Sequence, residues 1–201
     1  AIAARAKGIE IVEQFFGVAL ARELAAAGRQ ADLMVANNVL AHVPDINDFV
    51  AGFAVLLKHH GVATFEFPHL LRMVQECQFD TAYHEHYSYL SLTAVERIFA
   101  ANGLRVFDVA ELPTHGGSLR VHAQRSDTGN RPVSDAVPAL LAREQNAGMT
   151  TPDFYTGFQD VAVRIKNDLL AFLLLILCLA TRWHWSLKTA LVVLVSGFYG
   201  F

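Results

Sequence analysis

Cysteine is nearly absent from this 201-residue chain. Cys77 and Cys178 lie far apart and form no Cys-Xaa-Xaa-Cys pair, which excludes a disulfide framework and a zinc ribbon and fits a reducing, cytoplasmic setting. A basic stripe is also missing. With a formal charge of -3 and dispersed Lys and Arg, the chain offers no footprint for nucleic acid. Gly-Xaa-Gly occurs nowhere, so the usual glycine-rich dinucleotide or nucleoside loop is excluded. The N-terminus, Ala1 to Lys7, has no apolar leader and reads as the middle of an alanine-rich helix. Because it also lacks an initiator Met, further residues are expected upstream. Long hydrophobic runs are few: Leu169–Ala180 and Ala190–Val195 are each shorter than the roughly 20 residues a membrane helix needs. A buried helix, an interfacial segment and an aberrantly translated end are the readings open for this tail, and a membrane could be engaged only through residues 169–201.

What the chain does contain is an alternation of helical and strand patterns up to about Ala123, the signature of an α/β sheet. Strands are expected at Gly8–Val12, Asp32–Ala36, Val62–Phe67, Leu104–Val109 and Ser118–Gln124. The run Asp32–Ala36 is almost continuously apolar, as in a strand covered on both faces. Helices are expected over Val18–Ala27, closed by Gly28; Ile46–Leu57; Leu92–Ala101, ended by Asn102-Gly103; Val133–Asn146; and from Pro152 onward. The last two strands are close enough for an antiparallel hairpin at the sheet edge. Residues 70–90 have no clean period and read as an insertion or lid with one short helix. The expected division is 1–125 for a catalytic domain, 126–172 for a linker and following helices, and 173–201 for a divergent hydrophobic tail.

The densest chemistry is in Tyr83-His84-Glu85-His86-Tyr87-Ser88-Tyr89, because two imidazoles, a carboxylate and three phenols make poor core material. On a regular strand His84 and His86 would share a face and could hold a metal, given a third ligand from His42, His69 or His115. A solvated polar loop is the bland reading. Acid–base chemistry suits the residue types best, since an imidazole with a pKa near 6.5 is largely free to accept a proton at neutral pH. Asn37, Asn38 and His42 follow the central apolar strand, where open α/β folds keep their ligands, although one Asn could equally cap a helix. Taken alone, His42 could as well be a hydrogen-bonded boundary histidine. Phe15 and Phe16 suit a core better than an adenine-stacking wall, Gly116-Gly117 could be only a turn, and His59-His60 suits a surface turn.

Longer stretches carry a family resemblance. Ala31-Asp32-Leu33-Met34-Val35-Ala36-Asn37-Asn38-Val39-Leu40-Ala41-His42-Val43-Pro44-Asp45 resembles the fourth strand and following helix of class I S-adenosylmethionine-dependent methyltransferases. Leu56-Leu57-Lys58-His59-His60-Gly61-Val62 resembles their turn before the fifth strand, with His59 and His60 in place of Pro and Gly. More specific are Phe79-Asp80-Thr81-Ala82-Tyr83-His84-Glu85-His86-Tyr87-Ser88-Tyr89 and Leu112-Pro113-Thr114-His115-Gly116-Gly117-Ser118-Leu119-Arg120. Both resemble the sugar C-methyltransferases that act on nucleotide-linked 4-keto-6-deoxy sugars. The likeness runs over roughly residues 1–172 and implies a partial Rossmann-like sheet, with S-adenosylmethionine as methyl donor and a nucleotide-linked sugar as substrate.

By that resemblance His86 is the base that removes the sugar C3 proton. Tyr83, Glu85 and His42 match further active-site positions, and Asn37, Asn38 and Phe16 match the donor side. His115, Gly116 and Ser118 fall on the substrate side. No metal takes part, because a ketone beside C3 acidifies its proton and the donor is already cationic. Tyr83, Glu85 and His86 cannot all face one pocket from a regular strand, so a turn or irregular loop is expected there.

The chain also departs from that family. Its small cysteine-rich zinc module, first strand and glycine-rich donor loop have no counterpart here, and resemblance ends inside one helix after Asp168-Leu169-Leu170-Ala171-Phe172-Leu173, as at a frameshift or gene-fragment boundary. Two expectations follow: Asp32–Ala36 should have an unpaired edge, and S-adenosylmethionine should bind this chain weakly or not at all. Two rival readings use other features: a membrane-associated or interaction protein anchored by the tail, and a metal-dependent hydrolase using His84, His86 and His115.

Overall fold

The fold is that of a computed structural model, which describes residues 2–182. Two compact units are present, one ending at Phe154 and the other beginning at Tyr155. In the first, a short helix α1 (Ile2–Arg5) and α2 (Val18–Ala26) precede strand β1 (Ala31–Asn37). Then come α3 (Ile46–Leu56), β2 (Leu57–Pro68), α4 (Leu70–Gln75), α5 (Leu92–Ala101), β3 (Leu104–Leu112), β4 (Ser118–Arg125) and α6 (Ala136–Asn146). The strands form one sheet in the order β1-β2-β4-β3, with β1 parallel to β2 and β4 antiparallel to both β2 and β3.

Alternation along the strands decides the core. Phe65 pairs with Val121, Phe67 with Leu119 and Ala63 with Ala123, and all six are fully buried. A register irregularity between Val106 and Asp108 shifts the phase of β3, so that Leu104, Val106 and then Val109 are all buried. Helices α3 and α5 lie against this face: the Phe65 ring is 4.7 Å from Phe53 of α3 and 4.7 Å from Phe99 of α5. Burial of each large side chain of this kind stabilises the fold by roughly 1.5–3 kcal/mol relative to exposure. Local signals agree with the packing. Asp45 caps α3 by accepting from the Asp48 amide at 3.0 Å, and Ser91 caps α5 by accepting from the Ala94 amide at 3.1 Å. Where α2 and α3 pack, a side chain at Gly52 would stand 2.9 Å from the Gly17 backbone, so close approach requires glycine there.

Three elements differ from expectation. Gly8–Val12 is not a strand; Ile9 and Val12 are exposed, and no described strand lies beyond β1 to pair with this segment. A strand is stable only with a hydrogen-bonding neighbour, which apolar alternation cannot itself supply. Strand β1 is covered on one face only: Leu33 and Val35, which share a face, are 59% and 58% exposed, while Met34 and Ala36 on the other face are half-buried and buried. Among the described residues β1 is an edge strand of the sheet. Strand β2 begins at Leu57 rather than Val62, with Ala31 opposite Leu57 and Leu33 opposite Val62, so Lys58, His59 and His60 form an exposed excursion within it.

The second unit contains α7 (Phe158–Arg182), which runs without a break through the point at which the family resemblance was expected to end. Among the described residues no helix is long and apolar enough to cross a membrane. Expectations for residues 183–201, including the apolar run Ala190–Val195, lie outside the described residues.

Candidate active site

The carboxyl end of β1 and the loop between α4 and α5 enclose an open cleft of about 480 Å³. Its walls include Asn38, His42, Asp80, Tyr83, His86 and His115. The backbone makes these neighbours. Asn38, at φ +54°, turns the chain off β1 while its amide donates to the Glu66 carbonyl at 2.7 Å, and Leu40–His42 then forms a single 3-10 turn. Onto that turn the Tyr83–Tyr89 loop is fastened by two amides, Tyr87 and Ser88, which both donate to the Ala41 carbonyl.

The loop is irregular, as expected. The His86 amide donates to the Tyr83 carbonyl at 3.1 Å, closing a turn that puts His84 and Glu85 out in solvent and folds Tyr83 and His86 together. The Tyr83 and His86 ring centroids are 4.1 Å apart at 34°, and His42 lies 4.7 Å from His86. Tyr89 meets the edge of His86 at 5.8 Å.

Hydrogen bonds fix the proton positions on both imidazoles. The His86 Nδ1 is 3.0 Å from the Thr81 carbonyl oxygen, and the His42 Nδ1 is 3.0 Å from the Glu85 carbonyl oxygen. A carbonyl oxygen can only accept, so each Nδ1 carries the hydrogen and each neutral ring keeps a bare lone pair at Nε2. Two oriented proton acceptors therefore share one cleft. Both are only partly buried, so both are within reach of solvent and ligand.

A second group of contacts holds the opposite wall. Buried Glu66 accepts from the Arg120 guanidinium at 2.8 and 3.2 Å and from the Thr114 hydroxyl at 3.3 Å. His115 is in the left-handed region at φ +53°, and the Gln78 amide donates to the Gly116 carbonyl at 2.8 Å. The turn at Thr114-His115-Gly116-Gly117 is thereby held against the loop.

The sequence-expected residues divide by place. His86, Tyr83, His42, His115, Gly116 and Asn38 line the cleft. Glu85 does not present its side chain there, and it contributes its carbonyl to His42 instead. Asn37 is exposed at the end of β1 outside the lining. Phe16 packs edge-on against Phe49 and Phe53 at 5.6 and 5.3 Å, in the manner of a core residue, while Phe15 is fully exposed. Ser118 is buried and donates to the Thr114 carbonyl at 3.0 Å; it borders a neighbouring cavity of about 470 Å³ with His69 and Arg72. Gln78 and Thr81 were not singled out from the sequence, for their role depends on backbone geometry. Among the described residues no three His, Cys, Asp or Glu side chains are grouped as a metal ion would need.

Comparison with known proteins adds a separate line of observation. A sequence profile described as a methyltransferase domain matches residues 2–109, and one described as a C-methyltransferase C-terminal domain matches residues 113–177. The C-methyltransferase NovU of Streptomyces niveus is 34% identical over 163 residues, which cover 81% of this chain and 39% of that protein. The chain thus spans well under half the length of that curated relative. Among solved structures, the magnesium protoporphyrin IX methyltransferase of Synechocystis PCC 6803 with bound SAH has a TM-score of 0.38 at 16% identity, over 48% of this chain and 46% of that one. The pyocyanin biosynthetic protein PhzM has a TM-score of 0.41 at 10% identity, over 51% and 38% of the two chains.

Proposed function

This chain belongs to the methyltransferase-domain family of S-adenosylmethionine-dependent enzymes, and we propose that its cleft is the acceptor side of a C-methyl transfer to a nucleotide-linked 4-keto-6-deoxy sugar. The supporting observation is the tautomer of His86, whose Nδ1 is engaged by the Thr81 carbonyl so that the Nε2 lone pair is kept on a ring lining a cleft with a phenol and a second imidazole. Its role in the proposal is to take the C3 proton, which is acidic because the carbanion delocalises onto the C4 oxygen. The positive charge then gained by the ring is accommodated by the Thr81 carbonyl at Nδ1 and by the adjacent Tyr83 ring.

The oxygen that becomes negative needs a donor. Tyr83 carries one in its phenol, whereas neutral His42 offers only an acceptor at Nε2. The phenol is therefore assigned to the C4 oxygen and His42 to an adjacent sugar hydroxyl. For the methyl donor, the residues present fit in part: Asn38 lines the cleft and Asn37 stands beside it at the carboxyl end of β1. S-adenosylmethionine, when bound, supplies the electrophilic methyl group that such a carbanion takes.

The test isolates proton removal from methylation. Exchange of the C3 proton of a 4-keto-6-deoxy nucleotide sugar in D2O, followed by NMR, is expected to fall by about 10²–10⁴-fold in His86→Asn, the range ascribed to a positioned general base. Exchange at the wild-type rate in that variant would remove His86 from the role.

A further inference from the structure

The cleft loop is anchored by a residue far from the cleft. Glu144, on α6, is completely buried. Its Oε1 accepts from His69 Nε2 at 2.8 Å and from the Leu92 amide at 2.7 Å, while its Oε2 accepts from the Thr93 amide at 2.8 Å and the Thr93 hydroxyl at 2.5 Å. Four donors thus converge on one carboxylate. They come from the two places where the loop meets the rest of the fold: His69 stands immediately before α4, and Leu92-Thr93 opens α5.

These two feet also touch each other. His69 and Leu90 form a parallel bridge, the Leu70 amide donates to the Leu90 carbonyl at 3.0 Å, and the His69 amide donates to the Gly117 carbonyl at 3.0 Å. Residues 70–90 therefore form a closed noose whose neck is held by His69, Leu90 and Glu144. His86 and Tyr83 ride on that noose, and its far end is fastened by the Tyr87 and Ser88 amides to the Ala41 carbonyl and by the Glu85 carbonyl to the His42 ring. A buried carboxylate would be costly without partners, and here the partners are those that fix where the noose begins and ends.

We propose that Glu144 is a positioning residue for the cleft: by gripping both feet of the 70–90 noose it sets the place and the tautomer of His86. The proposal rests on the reading of His86 as the proton acceptor, but it makes a claim about loop geometry that can fail separately. Loss of one grip lets the noose shift, so the Thr81 carbonyl and His86 Nδ1 separate and the imidazole hydrogen is no longer held at Nδ1.

Two readouts on the 201-residue chain test this: ¹⁵N NMR of the His86 ring, and hydrogen exchange of the loop amides Tyr87 and Ser88 compared with the sheet amides Phe65 and Val121. In the wild type, His86 is expected in the Nδ1–H form. In Glu144→Gln, which replaces acceptor lone pairs by a donor, a mixed tautomer is expected, with loop exchange at least tenfold faster and sheet exchange altered less than threefold. Thr93→Val removes one of the four bonds and should shift both readouts in the same direction by less; if Glu144→Gln does not fold, this variant decides. Unchanged tautomer and loop exchange would overturn the proposal, as would equal acceleration of loop and sheet, which marks a global loss of stability. A wild-type His86 in the Nε2–H form would instead overturn the reading of the cleft itself.

Discussion

The two sides of β1's carboxyl end differ sharply. Toward β2 and the noose, the His42 and His86 rings each have a backbone partner, and the opposite wall is fixed by Glu66, Arg120, Thr114 and Gln78. On the opposite edge, β1 has no described strand beside it, and Leu33 and Val35 stand more than half exposed. The cleft side is thus organised by contacts made within residues 37–144, whereas the β1 edge is a surface still able to pair. In the proposed function, this difference bears on proton removal, which the proposal assigns to the first side alone.

The largest expected effect sharpens that comparison: His86→Asn should slow proton exchange by about 10²–10⁴-fold, as set out above, while leaving thermal unfolding of the chain close to wild type in a calorimetric scan. Next is an attempt to break the organised side through its core. Phe65→Ala removes a fully buried ring that contacts Phe53 and Phe99 and should cost about 3–5 kcal/mol in urea unfolding. A loss below 1 kcal/mol would mean that the sheet face is not packed as described.

Acid should loosen the organised side first. Burial by itself raises the Glu144 carboxyl, but the bonds from His69, Thr93 and Leu92 outweigh it and hold the group below its ordinary 4.5. Since the folded value lies below the unfolded one, Glu144 stabilises the fold above about pH 4.5, and that contribution is lost as pH falls through the lower folded value. The urea-derived stability measured at pH 6 and pH 3.5 should therefore fall less with acid in Glu144→Gln than in the wild type, by at most about 1.4 kcal/mol, because pH 3.5 lies only one pH unit below the ordinary 4.5. Equal acid sensitivity in the two proteins would contradict this sign.

The smallest effect belongs to the open edge. Val35→Lys places a charge on exposed β1 and should change stability by no more than about 0.5 kcal/mol, yet reduce concentration-dependent association seen by light scattering. A large stability loss would show that the edge is covered after all.

The same contrast explains what the sequence revealed. Helices α2, α3 and α5 and strands β2, β3 and β4 were legible because apolar period and turn glycines such as Gly28 and Gly103 are local signals. The segment Gly8–Val12 was misread because strand formation depends on a neighbour, and a neighbour is not a local property. In the site, the cluster at Tyr83–Tyr89 was visible from its residue types, and the need for a turn followed from side-chain alternation. The tautomers of His42 and His86 were not visible, since they are set by carbonyls 43 and 5 residues away. Glu144 was missed for the same reason. It sits in the polar stretch Arg143-Glu144-Gln145-Asn146 and reads as a solvent-facing helix residue until His69, 75 positions earlier, is placed beside it.

The most direct measurement is C3-proton exchange by this 201-residue chain with no methyl donor in the solution. The organised cleft predicts exchange of a 4-keto-6-deoxy nucleotide sugar well above the buffer rate, lost in His86→Asn. Exchange that stays at the buffer rate with the wild-type chain, folded and saturated with the sugar, would contradict the claim that proton removal belongs to this side of the site alone.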